Sequence, residues 1–146
     1  MFDLSMKALM QLAAGDDWTW AAAVVTVESD WNRYAISDGG LARGLFQMHP
    51  DFLTSLIPDF GTHALSLIIG HADPFVQAEA FRTFWLKRFG HIERADRLGL
   101  YHYHGTNLDG WLAQKKQPDP DPDRYIAKVQ TAQRIIAARF LPKQET

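Results

Sequence analysis

One carboxylate stands at the end of the most apolar segment of the chain. Glu28 follows Trp18 through Val27, which is apolar on nearly every side, the pattern of a helix enclosed by others. Val24 and Val25 lie one helical turn behind it and Ala21 two turns behind, so Glu28 shares the core-facing stripe. Burial disfavours a carboxylate, and the negative end of the helix dipole adds to that if the helix stops near Asp30, so both effects push the Glu28 pKa upward. A carboxylic acid still protonated near neutrality is what breaking a glycosidic bond needs, because the departing sugar oxygen must receive a proton. The residues alone therefore nominate Glu28 as a general acid. They also leave open a plainer fate, in which Glu28 sits at a frayed helix end, snorkels to solvent, or pairs with Arg33 or Arg43.

The elements that must position Glu28 are helices, and the chain is expected to be all-α. Asp16 and Asp17 can cap the central helix. Ser37-Asp38-Gly39-Gly40 reads as a turn, followed by a short apolar element, Gly44-Leu45-Phe46-Gln47-Met48, stopped before Pro50. Asp51 to Ile57 and His63 to Ile69 read as short helices. Asp73-Pro74 starts a helix whose apolar positions Phe75, Ala78, Phe81, Trp85 and Phe89 keep a 3.6 period until Gly90. A further helix runs from about Ile92 to Tyr103 into Gly105. The last starts at Asp123 and carries Ile126, Val129, Gln133, Ile136 and Phe140 on one face. Pro118-Asp119-Pro120-Asp121-Pro122 reads as a stiff extended connector too short to separate domains. Strand-type alternation is nearly absent.

Bulk properties narrow the function. A chain of 146 residues, 47% hydrophobic, is one domain's worth of material with a sizeable core. A net charge of -2, with Lys and Arg scattered, offers no track for a phosphate backbone, so nucleic acid is not an expected partner. Without cysteine, disulfides and thiolate metal sites are excluded. His102 and His104 alternate, so a helix points them to different faces, and no metal is expected there. The Asp119, Asp121, Asp123 alternation lacks the Gly and Glu of a calcium loop, having Arg124 and Gln130 instead. No apolar stretch approaches membrane-spanning length, and Met1 to Lys7 lack the basic start and apolar run of a secretory signal.

Glu28-Ser29, then Trp31-Asn32, Ala35 and Ser37, then Gly44-Leu45-Phe46-Gln47-Met48-His49-Pro50, resemble the lytic transglycosylase and goose-type lysozyme group, where a Glu-Ser pair precedes a Gly-Leu-x-Gln element. Leu100-Tyr101-His102-Tyr103-His104-Gly105 is similar to that group's Ala-Tyr-Asn-Ala-Gly segment, and Arg124-Tyr125-Ile126-Ala127-Lys128-Val129 to its Tyr-Val-x-x-Val segment. These motifs fall in the expected order over roughly Trp18 to Phe140. Two departures stand out: Gly44 comes one residue late after Ser37 and Gly40, and Tyr101 and Tyr103 flank His102 where Tyr-Asn is usual. Either tyrosine can be the one that faces Glu28.

The resemblance implies a single-domain, lysozyme-like helical fold acting on peptidoglycan glycan strands without a cofactor. Glu28 would protonate the oxygen between N-acetylmuramic acid and N-acetylglucosamine, then act as base. Attack by the sugar's own C6 hydroxyl gives a 1,6-anhydro product, the favoured route. Attack by water is the alternative, with Asp38 available to position it, although Met48-His49 stand where goose-type enzymes carry a further acid. A third possibility is a catalytically idle wall-binding or structural module. Gln47 would hydrogen-bond the sugar beside Glu28. Ser37 would bind it too or cap its own turn, and Ser29 would hold local backbone or the Glu28 carboxyl. Phe46, Met48, Tyr101 and Tyr103 would line a groove for apolar sugar faces or belong to the core. Tyr125 is placed near Glu28. A wall-cutting protein made in the cytoplasm without a signal is expected to be phage-encoded, reaching the wall by a lysis route or carried in a virion or secretion machine.

Overall fold

The computed structural model describes residues 3–57, 73–103, 107–116 and 120–142. The chain is mostly helical. A single turn, Leu4–Met6, leads into α1 (Lys7–Ala14), and a tight turn, Gly15–Asp17, leads into α2 (Trp18–Ser29). A minimal hairpin follows, β1 (Ile36–Ser37) and β2 (Ala42–Arg43), antiparallel with Ile36 opposite Arg43 and Ser37 opposite Ala42. Then come α3 (Pro50–Leu56), α4 (Pro74–Arg82), α5 (Arg94–His102), α6 (Leu108–Lys115) and α7 (Pro120–Phe140).

The all-round apolarity of α2 is spent on burial. Trp18, Thr19, Ala21, Ala22, Ala23, Val24 and Val25 are all buried, because α1 lies on one side of the helix and the long α7 on another. Helix α7 supplies Tyr125, Val129 and Ile136 to the core, and its Gln133 amide donates to Thr19 Oγ1 at 3.2 Å. Besides Trp20, the last turn of α2, Thr26 through Ser29, comes out to partial exposure. There Asp30 adopts a left-handed conformation (φ 48°) and closes the helix on the Thr26 carbonyl, and the Trp31 indole N–H donates to Thr26 Oγ1 at 3.0 Å.

A second core layer is aromatic. Phe81 packs against Phe46, Trp85 and Tyr101 with ring centroids 5.0–5.5 Å apart, and Phe52 and Phe84 close on the same tyrosine. Helix α4 starts as its sequence dictates: Asp73 accepts from the backbone N–H of Phe75 and Val76 at 2.8 and 3.2 Å, with Pro74 at the first position.

Several expectations are corrected. Phe75 is 67% exposed, because the buried face of α4 is centred on Gln77, Ala80 and Phe81, and Phe75 projects from the opposite side. From Thr83 to Arg88 the helix widens to π-type spacing, closed by the Phe89 N–H on the Phe84 carbonyl, and the added residue per turn brings Trp85 and Phe89 inward. Asp17 precedes α2 but makes no side-chain cap. Its carboxylate is drawn instead to Trp85 and Arg94. Of the supposed extended connector, Pro120, Asp121 and Pro122 form the first turn of α7, since proline is compatible with a helix's opening turn, where its missing N–H leaves no bond unmade. The Gly44 to Met48 element is a turn ending in a bridge between Arg43 and Met48. Helices α1 and α6 and the hairpin add to the expected set. The segment His63 to Ile69, Gly105, and Pro118-Asp119 lie outside the described residues.

Candidate active site

Glu28 occupies the last turn of α2, half-buried, at the point where the helix surfaces beside α7. Its carboxylate Oε2 accepts a hydrogen bond from the Tyr125 hydroxyl at 3.1 Å. Desolvation raises the Glu28 pKa most, the Tyr125 hydrogen bond opposes it, and the negative charge of Asp38 raises it further, leaving the value at about 7. Arg33 and Arg43 do not answer that charge. Arg33 lies over the Tyr34 ring and Arg43 donates to the Gly40 carbonyl, and among the described residues no cation pairs with Glu28. The group is therefore a carboxyl whose protonation changes near neutral pH, the condition in which one residue can first give and then take a proton.

The Tyr125 phenol is buried, and desolvation, together with the nearby Glu28 charge, raises its pKa well above the ordinary tyrosine value. It stays a donor throughout the range in which Glu28 titrates. His102 stacks on its ring at 4.6 Å between centroids, 27° from parallel. Glu28, Tyr125 and His102 line an open groove of about 400 Å³, together with Val27, Asp121, Arg124 and Lys128. Two other concavities lie elsewhere along α2 and α7. Among these three, the groove at Glu28 combines a perturbed acid with convergent polar groups, a combination that makes it the candidate reactive site.

The remaining candidates separate into those near the acid and those beneath it. Tyr101 is fully buried and donates its hydroxyl to the Phe46 carbonyl. Desolvation raises its pKa, with a contribution from the Glu28 charge. It is thus within electrostatic reach of Glu28 but does not line the groove. Tyr103 is 39% exposed and turns toward Trp111. The tyrosine that bonds Glu28 is Tyr125. Phe46 and Met48 are wholly buried and present no surface to a ligand, because the turn that carries them folds inward onto α4.

Gln47, with a positive φ of 50°, is buried, and its amide is engaged by the loop itself. The NH₂ group donates to the Ala35 and Gly44 carbonyls at 3.0 and 2.9 Å, and the oxygen accepts from Ser37 Oγ. Ser37 and Gln47 thus lock the hairpin to the turn that follows it. Ser29 Oγ donates back to the Val25 carbonyl at 3.2 Å, holding local backbone. Asp38 is exposed and paired with His49 Nε2 at 3.0 Å. Its contribution at Glu28 is its charge.

One residue escapes a sequence reading altogether. Gln77 of α4, fully buried, donates to the Arg43 carbonyl at 2.6 Å and accepts from the Phe46 N–H at 2.9 Å. It clamps the Gly44 turn from below, and Gly44 (φ 79°) must be glycine there, since a Cβ would stand 2.8 Å from the Gln77 amide. The one available signal is an amide on the helix face that otherwise carries Ala80, Phe81 and Phe84. Comparison with protein-family models, curated proteins and solved structures yields no match, so a functional reading of this chain rests on Glu28 and the groups that the fold gathers around it.

Proposed function

We propose that this protein cleaves the glycan strands of peptidoglycan at the β-1,4 bond between N-acetylmuramic acid and N-acetylglucosamine, on a lysozyme-like scaffold of the lytic transglycosylase kind. The observation that carries the reading is a single half-buried carboxyl, Glu28, with a pKa raised to about 7 and a tyrosine donor 3.1 Å away, opening on a groove. The neutral acid gives its proton to the bridging oxygen as the C1–O bond breaks, and the substrate's acetamido oxygen covers C1 in place of a second carboxylate. The C6 hydroxyl of the same muramic acid then attacks C1 while the Glu28 carboxylate takes that hydroxyl's proton. Glu28 is restored, no water is consumed, and the product is a 1,6-anhydro sugar. Tyr125 steadies the carboxylate stage by donating to Oε2. Asp38 supports a second reading, hydrolysis, because its charge is felt at Glu28 and an exposed acid there is able to orient a water.

Mass spectrometry of muropeptides released from purified walls tests this reading. The expected product is one water lighter than the hydrolytic one, and Glu28→Gln is expected to lower release by about 10²–10⁴-fold. Full release by folded Glu28→Gln would reject the role of Glu28, and products of hydrolytic mass would select the second reading.

A further inference from the structure

Two cations share the groove with Glu28, and nothing in the cleavage chemistry employs them. Arg124 and Lys128 are four residues apart on α7, hence one turn apart on the same face, and both line the groove wall on either side of Tyr125. Arg124 meets Asp121 at 3.6 Å, but both side chains are about 70% exposed, and an open i,i+3 pair of that kind holds its members weakly. Among the described residues Lys128 makes no ion pair. Counting Asp121 against them, this wall of the groove keeps a net positive charge.

We propose that Arg124 and Lys128 form a carboxylate-binding subsite that reads the anionic substituent on the muramic acid of a strand lying against Glu28. The proposal rests on the reading of a peptidoglycan strand as substrate. A plain chain of N-acetylated amino sugars is uncharged and offers these cations nothing. A muramoyl strand carries a lactyl carboxylate where it is unsubstituted and peptide-stem carboxylates where it is substituted, and either can accept from a guanidinium and an ammonium one turn apart. Such contacts would place the muramic acid, and not its neighbour, over Glu28, so charge recognition sets which of the two alternating bonds is cut.

The test compares three substrates: strands with peptide stems, strands freed of stems by an amidase so that lactyl carboxylates are exposed, and the latter with those carboxyls converted to amides. For the wild type, kcat/KM is expected to favour both carboxylate-bearing strands over the amidated one. Arg124→Gln/Lys128→Gln is expected to reduce that preference about tenfold through KM, whereas Arg124→Lys/Lys128→Arg keeps most of it. The substrate showing the greater loss identifies the source, stem or lactyl, and equal losses assign both. All four substitutions are at exposed positions, and a thermal melt verifies folding. An unchanged preference in the double Gln variant, with Glu28→Gln inactive, overturns the subsite and leaves the role of Glu28 standing. A wild type inactive on all three substrates overturns both.

Discussion

Helix α2 is bracketed by two carboxylates, Asp17 just before it and Glu28 in its last turn, and desolvation is the largest influence on both. They end with opposite pKa shifts. At Asp17, desolvation is outweighed by hydrogen bonds from Arg94 and Trp85 and by the charges of Arg94 and Arg97, so the carboxyl is held below its ordinary value. Arg94 reaches Oδ1 at 2.8 Å, Trp85 Nε1 donates to Oδ2 at 2.9 Å, and Arg97 lies 3.5 Å from Oδ2. Glu28 receives one neutral donor, Tyr125, and faces a second negative charge in Asp38. Burial alone does not make an acid reactive. The cations set around it decide whether it becomes a structural anion or a proton donor.

Breaking the Asp17 end should give the largest effect on stability. Asp17→Ala leaves the Trp85 N–H without its acceptor and removes the counter-charge from Arg97, which is 8% exposed. A loss of about 2–4 kcal/mol in urea unfolding is expected. Glu28→Gln should act in the opposite direction. The folded protein holds the Glu28 proton up to about pH 7 while the unfolded chain releases it near 4.5, so the native state binds more protons in that window. Stability from this group is complete below pH 4.5 and is lost as the pH rises through 7. Replacing the acid by an amide should therefore stabilise by on the order of 1–3 kcal/mol at pH 8 and by much less at pH 4.5. Melts at the two pH values check this, and equal shifts at both would remove the contrast between the two ends of α2. For Asp17 the sign is reversed, because its depressed pKa contributes stability above the ordinary aspartate value that is lost only as the solution becomes strongly acidic.

Tyr125→Phe sharpens the comparison with a smaller effect. The hydroxyl is the one influence that lowers the Glu28 pKa, so its removal should move the alkaline limb of the pH–rate profile upward by about 0.5–1 unit, with only a modest loss of rate. A limb that moves downward would mean that Tyr125 does not donate to the carboxylate.

The two ends of α2 also differ in how far their roles can be read from sequence. The partial burial of Glu28 was legible because it is local, an apolar helix ending at an acid, whereas the sequence left open a pairing with Arg33 or Arg43. Likewise the Asp73-Pro74 start of α4 and the Val129 and Ile136 face of α7 follow from short-range rules, and the structure has them as expected. Asp17 was not legible. Its partners lie 68 and 77 residues away along the chain, and a capping role is the natural local reading of an acid before a helix. The same reason hides Gln77, whose two bonds cross 31 and 34 residues. The hairpin escapes because two-residue strands are too short to show alternation. Phe46 and Met48 look like groove residues until the fold buries them, and that Tyr125, and neither Tyr101 nor Tyr103, bonds Glu28 depends on the packing of α2 against α7.

The proposed cleavage depends on the proton held by Glu28. Titration of its side-chain carboxyl by ¹³C NMR in the intact protein measures that directly. A midpoint at about 7 is predicted, whereas a midpoint near 4.5, the value of an unperturbed glutamate, would contradict it and leave the groove without a proton donor.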